Sequence, residues 1–517
     1  MGWYVVRRPD DPEGRAGRLV VSASDLAWFS RCAHRSTMDR AVLEGAEFER
    51  SPTDPFVQIL IDAGIAHEVA YLEHLRATLG PDAVVDCSAG DLGTQVAATR
   101  DALERGVPVV FQAALLTPDP EVADVWWQGH IDFAVRAPDG TYEPHDTKLG
   151  ANPKAPWAVQ LAVYGAQLGF VCGTTPQSGV VVSPGGDGFT ATEVNLDAVD
   201  LNGLRRGLVY ALTADPAPST LPDRKGACSQ CLWTNICDDE RRRQGSLTLV
   251  RDIRANQVAA LREVGIATID ELADCHPDGV PALTGVSDAV AAKLARQAAA
   301  QMATLRTGQV FVDVIDRSAK GLGALPPPAK GDTFFDIEGT HLVRGGLEYL
   351  FGVGWEKGLR HRFAFEAIWA TDTGLERQAF DDLVRLLTKR LGSSPGAHLY
   401  HFNFYERTAL LRLAARHGIH QRVVDEVIVP AMVDLLPIVR NGLVVGTERY
   451  GLKQLEPLFR GKRDGDVTDA VASLVEFDRF RATGDRRILA ALEAYNRDDV
   501  ESTWLLHRWL LSLRNDA

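Results

Sequence analysis

The stretch from Gly129 to Lys148 restricts the fold of this chain more than any other. It reads GHIDFAV, a Pro-Asp-Gly turn and then YEPHDTK, two alternating runs closed by turn residues, which predicts a β-hairpin. Alternation puts Asp146 and Lys148, two residues apart, on one strand face, and the hairpin brings Asp132 to them. Two carboxylates offer hard oxygen ligands to a divalent cation, and a lysine beside them can orient water or stabilise a pentavalent phosphate. Asp132, Asp146 and Lys148 therefore form a nuclease-like constellation.

The chain has 517 residues, too many for one ordinary core, which predicts three or four domains of about 150 residues. Its 45% hydrophobic and 24% charged residues are those of a globular protein, with no apolar run long enough to span a bilayer. The start, MGWYVVRRPDDPEGRAG, lacks the apolar core of a signal peptide, so a cytoplasmic protein with no membrane partner is expected. Lys and Arg total 55 against 69 Asp and Glu, a net charge of -14. That balance excludes a protein that coats nucleic acid by bulk charge, while a local groove of Arg and Lys can still bind phosphates. Seven cysteines in such a chain do not make a disulfide framework. Three of them cluster in CSQCLWTNIC, a spacing that points to metal in a reducing compartment.

Ahead of the hairpin, VVSASDLAWFSRCAHRSTMDR opens with a Ser and Asp capping pattern and predicts a helix carrying Cys32. DPFVQILIDAGIAHEVAYLEHL predicts a second, with Val57, Leu60, Ile61, Ile65, Val69 and Leu72 at helical spacing. By residue type alone, His67 is an ordinary polar residue of that helix. PVVFQAALL reads as a strand leading to the hairpin. Behind it, PWAVQLAVYGAQLGFVC is a helix on which Gln160 and Tyr164, four residues apart, share a face. Strands SGVVVSP and FTATEVNL and a helix from about Ala198 to Leu212 complete an α/β core.

His67, Asp132, Asp146-Thr147-Lys148, Gln160 and Tyr164 resemble, in order and approximate spacing, the motifs of the RecB-like branch of the PD-(D/E)XK nuclease superfamily. The resemblance covers the chain to about residue 240 and implies a restriction-endonuclease-like core. It implies His67, Asp132 and Asp146 as ligands of Mg²⁺ or Mn²⁺, Lys148 as catalytic, and Gln160 and Tyr164 as contacts to the substrate or to the site. Cys228, Cys231 and Cys237 stand just after this core and Cys32 just before it. Four thiolates suit a tetrahedral zinc or an iron-sulfur cubane, and spacing alone does not separate the two. One upstream cysteine plus C-x2-C-x5-C downstream is similar to the iron-sulfur arrangement of RecB-like exonucleases. That implies a [4Fe-4S] cluster stapling the ends of the nuclease domain, with zinc as runner-up. Cys87, Cys172 and Cys275 are expected as buried small apolar residues.

From Asp252 to Thr307 the chain reads as short helices. Leu283 to Ser287 resembles the hairpin of a helix-hairpin-helix unit, whose backbone amides can hold a phosphate; a helical spacer is the alternative. GLGALPPPAKGD is a stiff boundary. After it, DTFFDIEGT is a buried-looking strand with Asp336 and Glu338 on one face, a pair suited to two-metal chemistry. Strands YLFGVGW and HRFAFEA, a helix from about Leu375, and the strand and helix of AHLYHFNFYERTALLRLAA follow in ribonuclease H-like order. In AYNRDDVESTWLLHRWL, Tyr495 lies one helical turn before Asp499, so a tyrosine can position water beside a metal-binding carboxylate. This resembles the DEDDy exonuclease pattern, with Asp336 and Glu338 as first motif and Tyr495 and Asp499 as third. The second motif departs from it. His401-Phe402-Asn403-Phe404-Tyr405-Glu406 stands where proofreading relatives carry Asn, three spacers, an aromatic and Asp. Glu406 is the candidate carboxylate and Asp434 in MVDLLPIV the rival.

The whole chain resembles RecB-like nucleases that fuse both domains. The expected organisation is α/β multidomain: a nuclease core with its cysteines over 1–245, a helix-hairpin-helix-like segment over 246–307, a linker over 308–330, and a ribonuclease H-like 3'-5' exonuclease-type domain over 331–517. The expected function is a metal-dependent nuclease, a DNA exonuclease of repair or processing, with DNA over RNA following from the resemblance alone and a helicase as candidate partner. The alternatives are a nucleic-acid-binding scaffold with one or both sites degenerate, and a zinc-stabilised structural protein.

Overall fold

The Gly129 to Lys148 stretch does form a hairpin. In the computed structural model, β5 (Val125–Arg136) and β6 (Tyr142–Thr147) pair antiparallel, Phe133 opposite His145. The structure describes residues 4–6, 18–52, 55–185, 188–343, 345–358, 362–461, 463 and 470–515. The chain divides into two units, Met1–Glu240 and Arg241–Ala517. No helix among the described residues is long and apolar enough to cross a membrane.

The first unit is built on a sheet ordered β1 (Tyr4–Val6), β2 (Arg18–Ser22), β5, β6, β7 (Ser178–Gly185), β8 (Gly188–Asn195), with β3 (Val84–Asp86) joined through β4 (Val109–Pro118). Strand β4 covers one edge of β5 over most of its length. On the other edge β2 takes Val125 to Gln128 and β6 takes Phe133 to Arg136. The two partners diverge between those points. Asp132 stands in this fork, and helix α1 (Ala23–Arg31) starts beside it, directly after β2.

Strand β5 contributes to two cores. In one, Ile131 and Ala134 pack with Leu26 of α1, Val159, Val163 and Leu168 of α5 (Ala155–Cys172) and Leu208 of α6 (Leu201–Thr213). In the other, Phe133 packs with Tyr71, Leu72 and Leu75 of α3 (Pro55–Leu79). Helix α2 (Ala33–Leu43) follows α1, α4 (Leu92–Glu104) precedes β4, and α7 (Thr234–Arg243) follows the cysteine-bearing turn. Helix α3 exists as expected, but its expected apolar stripe does not form its buried face. Only Leu72 of that set is fully buried, while Ile61, Ile65 and Val69 are 46%, 56% and 48% exposed. The sheet meets α3 at its C-terminal turns.

In the second unit α8 (Ala255–Glu263), α9 (Ile269–Asp274) and α10 (Asp288–Thr307) close on Leu261, Leu272, Ala295 and Ala298. Strand β9 (Val312–Val314) leads to a five-stranded sheet ordered β12 (Arg362–Trp369), β11 (Leu347–Lys357), β10 (Thr333–Thr340), β13 (Leu399–His401), β14 (Met432–Asp434). Three antiparallel strands are followed by two parallel ones, as expected. Helices α11 (Thr373–Gly392) and α12 (Tyr405–His417) cover Phe335 and Ile337. After α13 (Leu435–Gly442), β15 (Leu443–Val445) pairs with β9. Helices α14 (Ala470–Thr483) and α15 (Arg486–Asn515) complete the unit. Gly352 and Gly354 of β11 let α15 lie close on the sheet, since a Cβ at either would meet Asn496 or Val500 side-chain atoms at 1.8 and 2.7 Å.

Candidate active sites

At the fork of the first unit, Asp132 Oδ2 accepts hydrogen bonds from Thr147 N and Oγ1, both at 2.8 Å. Asp146 is 1% exposed and pairs with Lys148 Nζ at 2.5 Å. On α5, Gln160 Nε2 donates to the Tyr164 hydroxyl at 2.9 Å. Asp132, Asp146, Lys148, Gln160 and Tyr164 line one cleft of about 660 Å³ together with Glu68, Gln112, Gln128 and His130. Burial pushes the Asp146 carboxyl up to about 7, the Asp132 charge adding to the rise and Lys148 opposing it. Burial also pulls Lys148 down, but Asp146, Asp132 and Glu68 outweigh it and hold the ammonium above its ordinary value. Burial and the Asp146 and Asp132 charges raise Tyr164 as well. A buried carboxyl whose ionisation is suppressed beside a second carboxylate gains from a cation.

His67, expected as a ligand, is not among the residues that line this cleft. Its Nε2 lies 3.1 Å from the Val182 carbonyl oxygen, and its ring packs on Phe189 with centroids 5.4 Å apart. Consecutive helical residues point about 100° apart, so the two neighbours in GIAHE address different places. Glu68 is the one that faces the cleft. Burial and then the Asp132 charge raise its carboxyl, and Gln112 Nε2 donates to its Oε1. Gln112 has φ +50°, a left-handed conformation uncommon for a non-glycine residue, so the backbone is strained at the position that aims this amide. The signal for Glu68 was in the sequence, one residue beyond the histidine that the motif singled out.

In the second unit, Asp336 and Glu338 leave β10 by the face that packs under α15. Asp336, Glu338 and Asp499 each bring a carboxylate oxygen to within 4.8 Å of the others, the one such group of three or more His, Cys, Asp or Glu among the described residues. Asn496 Nδ2 donates to Asp336 Oδ2 at 2.7 Å, and Ser473 Oγ to Glu338 Oε2 at 3.0 Å. Burial, then the Glu338, Asp499 and Glu406 charges, raise Asp336 well above the usual carboxylate range. Burial and the Asp499 charge push Glu338 up to about 7, and burial raises Asp499 against the opposing Arg463 and Lys453 charges. Tyr495, one turn before Asp499, accepts from Lys453 Nζ at 2.8 Å.

Of the rivals for the second motif, Glu406 reaches the cluster and Asp434 does not. Glu406 is 3% exposed, lies 3.2 Å from His401 Nδ1 and hydrogen-bonds the Asp336 carboxyl. Asp434 instead caps α13, its Oδ1 accepting from Leu436 N at 2.9 Å and Asn403 N at 2.8 Å.

None of the seven cysteines forms a disulfide. Cys32 ends α1, Cys228 and Cys231 lie in and after the turn Gly226–Gln230, and Cys237 is on α7 against Met38 and Trp233. Burial raises the Cys231 thiol, with the Cys32 and Cys228 charges adding to the rise. Among the described residues no three of these sulfurs lie within 4.8 Å of one another. A zinc tetrahedron with Zn–S near 2.3 Å brings its sulfurs to about 3.8 Å. Of the other three cysteines, Cys87 is buried as expected, but Cys172 is exposed and Cys275 only part-buried, each at the C-terminal end of its helix.

A family model described as the RNase_H superfamily matches residues 333–511. That span is a ribonuclease H-like domain and fits a metal-dependent nuclease, with the acid trio inside it. A solved structure titled "Crystal structure of SSO0001" matches 42% of this chain and 85% of that one, at 13% identity and a TM-score of 0.24. No curated protein matches.

Proposed function

We propose that the chain is a metal-dependent nuclease with two catalytic modules, a RecB-like core over 1–245 and a DEDDy-type exonuclease over 331–517, acting on DNA in repair or processing. The observation that carries this reading is the trio Asp336, Glu338 and Asp499, three acids with oxygens within 4.8 Å, inside the span that matches the ribonuclease H superfamily. Clustered, buried carboxylates with raised proton affinity fit divalent cations as their partner. Mg²⁺ or Mn²⁺ on this trio and Glu406 would supply Lewis acidity to a phosphodiester and acidity to its attacking water. Around it, Tyr495 presents a hydroxyl, fixed by Lys453, that can orient the water. Asn496 holds Asp336 in place.

In the first module Asp132 and Asp146 form the cation site, with Glu68 in the position that the family motif gives to His67. Lys148 keeps its proton on Nζ and can neutralise charge at the phosphate. Gln160 and Tyr164 line the cleft that would receive substrate. Cys32, Cys228, Cys231 and Cys237 would hold a [4Fe-4S] cluster that ties the two ends of this module, with zinc as the runner-up. The hairpin at Leu283 to Ser287 contributes a phosphate contact, and a helicase is the candidate partner.

Mn²⁺- or Mg²⁺-dependent digestion of end-labelled single- and double-stranded DNA and RNA tests the reading, comparing wild type, Asp146→Ala, Asp336→Ala and the double variant. Loss in the double variant supports it. Identical digestion by wild type and double variant sinks it, and loss in one single variant alone assigns the chemistry to one module.

A further inference from the structure

Arg463 is a charged side chain that the nuclease chemistry leaves unused. Its Nη2 lies 2.6 Å from Asp499 Oδ1, on one of the three acids of the trio. The same guanidinium is anchored from behind. Its Nε donates to Glu456 at 2.8 and 3.0 Å, and Glu456, 7% exposed, accepts from Ser502 Oγ at 2.6 Å. Ser502 is one turn beyond Asp499 on α15, so the helix that carries the acid also carries the anchor. Arg463 is 15% exposed, and its Nη1 is buried with no partner among the described residues.

We propose that Arg463 competes with a divalent cation for Asp499 and so sets the cation concentration at which the trio fills, an inference that rests on the metal-dependent reading of that trio. Asp336, Glu338 and Asp499 repel one another, and each needs positive charge nearby to ionise in a buried place. A guanidinium on Oδ1 supplies that charge to one acid and withdraws that oxygen's lone pairs from any other cation. A cation that takes Asp499 must share or displace the ion pair, so the energy of the pair is subtracted from its affinity. Arg463 could instead act by orienting Asp499 for the metal. The two roles predict opposite signs, because removing a competitor tightens cation binding and removing an orienting contact weakens it.

The experiment is a Mn²⁺ titration of the full chain, free Mn²⁺ being followed by its electron paramagnetic resonance signal. Asp132→Asn and Asp146→Asn are built in so that the first module does not contribute. Arg463→Gln in this background is expected to bind Mn²⁺ about tenfold more tightly, with Arg463→Lys, a single and shorter point charge, in between. Equal or weaker Mn²⁺ affinity in either variant, with an unchanged circular dichroism spectrum, overturns the competition. Should Arg463→Gln fail to fold, Arg463→Lys decides by the same sign. If the parent background binds no Mn²⁺ that Asp336→Asn removes, the metal-dependent reading itself falls and this inference with it.

Discussion

Replacing Glu338 by glutamine should stabilise the metal-free protein at alkaline pH, an advantage that shrinks when Mn²⁺ is added. Glu338 is 8% exposed, and burial with the Asp499 charge lifts its carboxyl from 4.5 to about 7 on folding. The folded state therefore binds this proton more tightly than the unfolded chain. Below pH 4.5 both states are protonated and there is no penalty. Between 4.5 and about 7 folding stability falls by roughly 1.4 kcal/mol per pH unit, and above 7 the loss levels at about 3 kcal/mol. Glutamine has no proton to lose, and its carbonyl oxygen can still accept from Ser473 and Tyr349, the partners of Glu338 at 3.0 and 3.3 Å. Urea unfolding in EDTA, followed by tryptophan fluorescence, should thus show Glu338→Gln about 3 kcal/mol more stable near pH 8 and level with wild type near pH 4.5. Saturating Mn²⁺ should stabilise wild type by about 3 kcal/mol at a hundredfold excess over Kd and the variant by less. A variant no more stable than wild type near pH 8 in EDTA would refute the idea that Glu338 is held ionised at a cost.

Glu68→Gln should weaken Mn²⁺ binding by the first module about tenfold, whereas His67→Ala should leave it unchanged and lower stability by about 1 kcal/mol for the lost Val182 contact; parallel Mn²⁺ titrations and melting curves decide, and the opposite pattern returns His67 to the ligand set. Gly352→Ala places a Cβ 1.8 Å from Asn496 Oδ1, so it should push Asn496 off Asp336 and cut the second module's activity on the order of a hundredfold, measured in an Asp146→Ala background. Cys231→Ser should abolish visible iron-sulfur absorbance and lower the melting temperature of the protein; a colourless wild type with stoichiometric zinc would remove the cluster from the reading.

What could be read from the sequence was what depends on local periodicity. The turn at Pro138, Asp139 and Gly140 and the alternation around it gave the hairpin, and the D-x-E spacing gave the shared face of Asp336 and Glu338. The four-residue step gave the Gln160 to Tyr164 bond and the adjacency of Tyr495 and Asp499. What was not legible depends on rotation and on distant chain. Whether residue 67 or 68 faces the cleft is set by how α3 rolls on Phe133 and Val182, residues far along the chain. The burial of Tyr71, Leu72 and Leu75 in place of Ile61, Ile65 and Val69 has the same origin. Glu406 and Asp434 could not be separated by spacing, because the difference between them is that Asp434 is engaged by the amides of Leu436 and Asn403. Arg463 had no motif at all, and only the return of the chain against α15 gives it a role.

Helix α15 runs for 30 residues, and Asp499 sits near its middle. At about 1.5 Å per residue the carboxylate is roughly 20 Å from the first residue of the helix and roughly 24 Å from the last. The backbone macrodipole is felt only within the terminal turns, so the main chain contributes almost no field at this acid. Anion-binding sites at helix N-termini take their electrostatics from peptide groups that mutation cannot remove. Here every compensating charge belongs to a side chain or to a bound cation, so the potential at Asp499 can be retuned one substitution at a time without disturbing the helix that holds it.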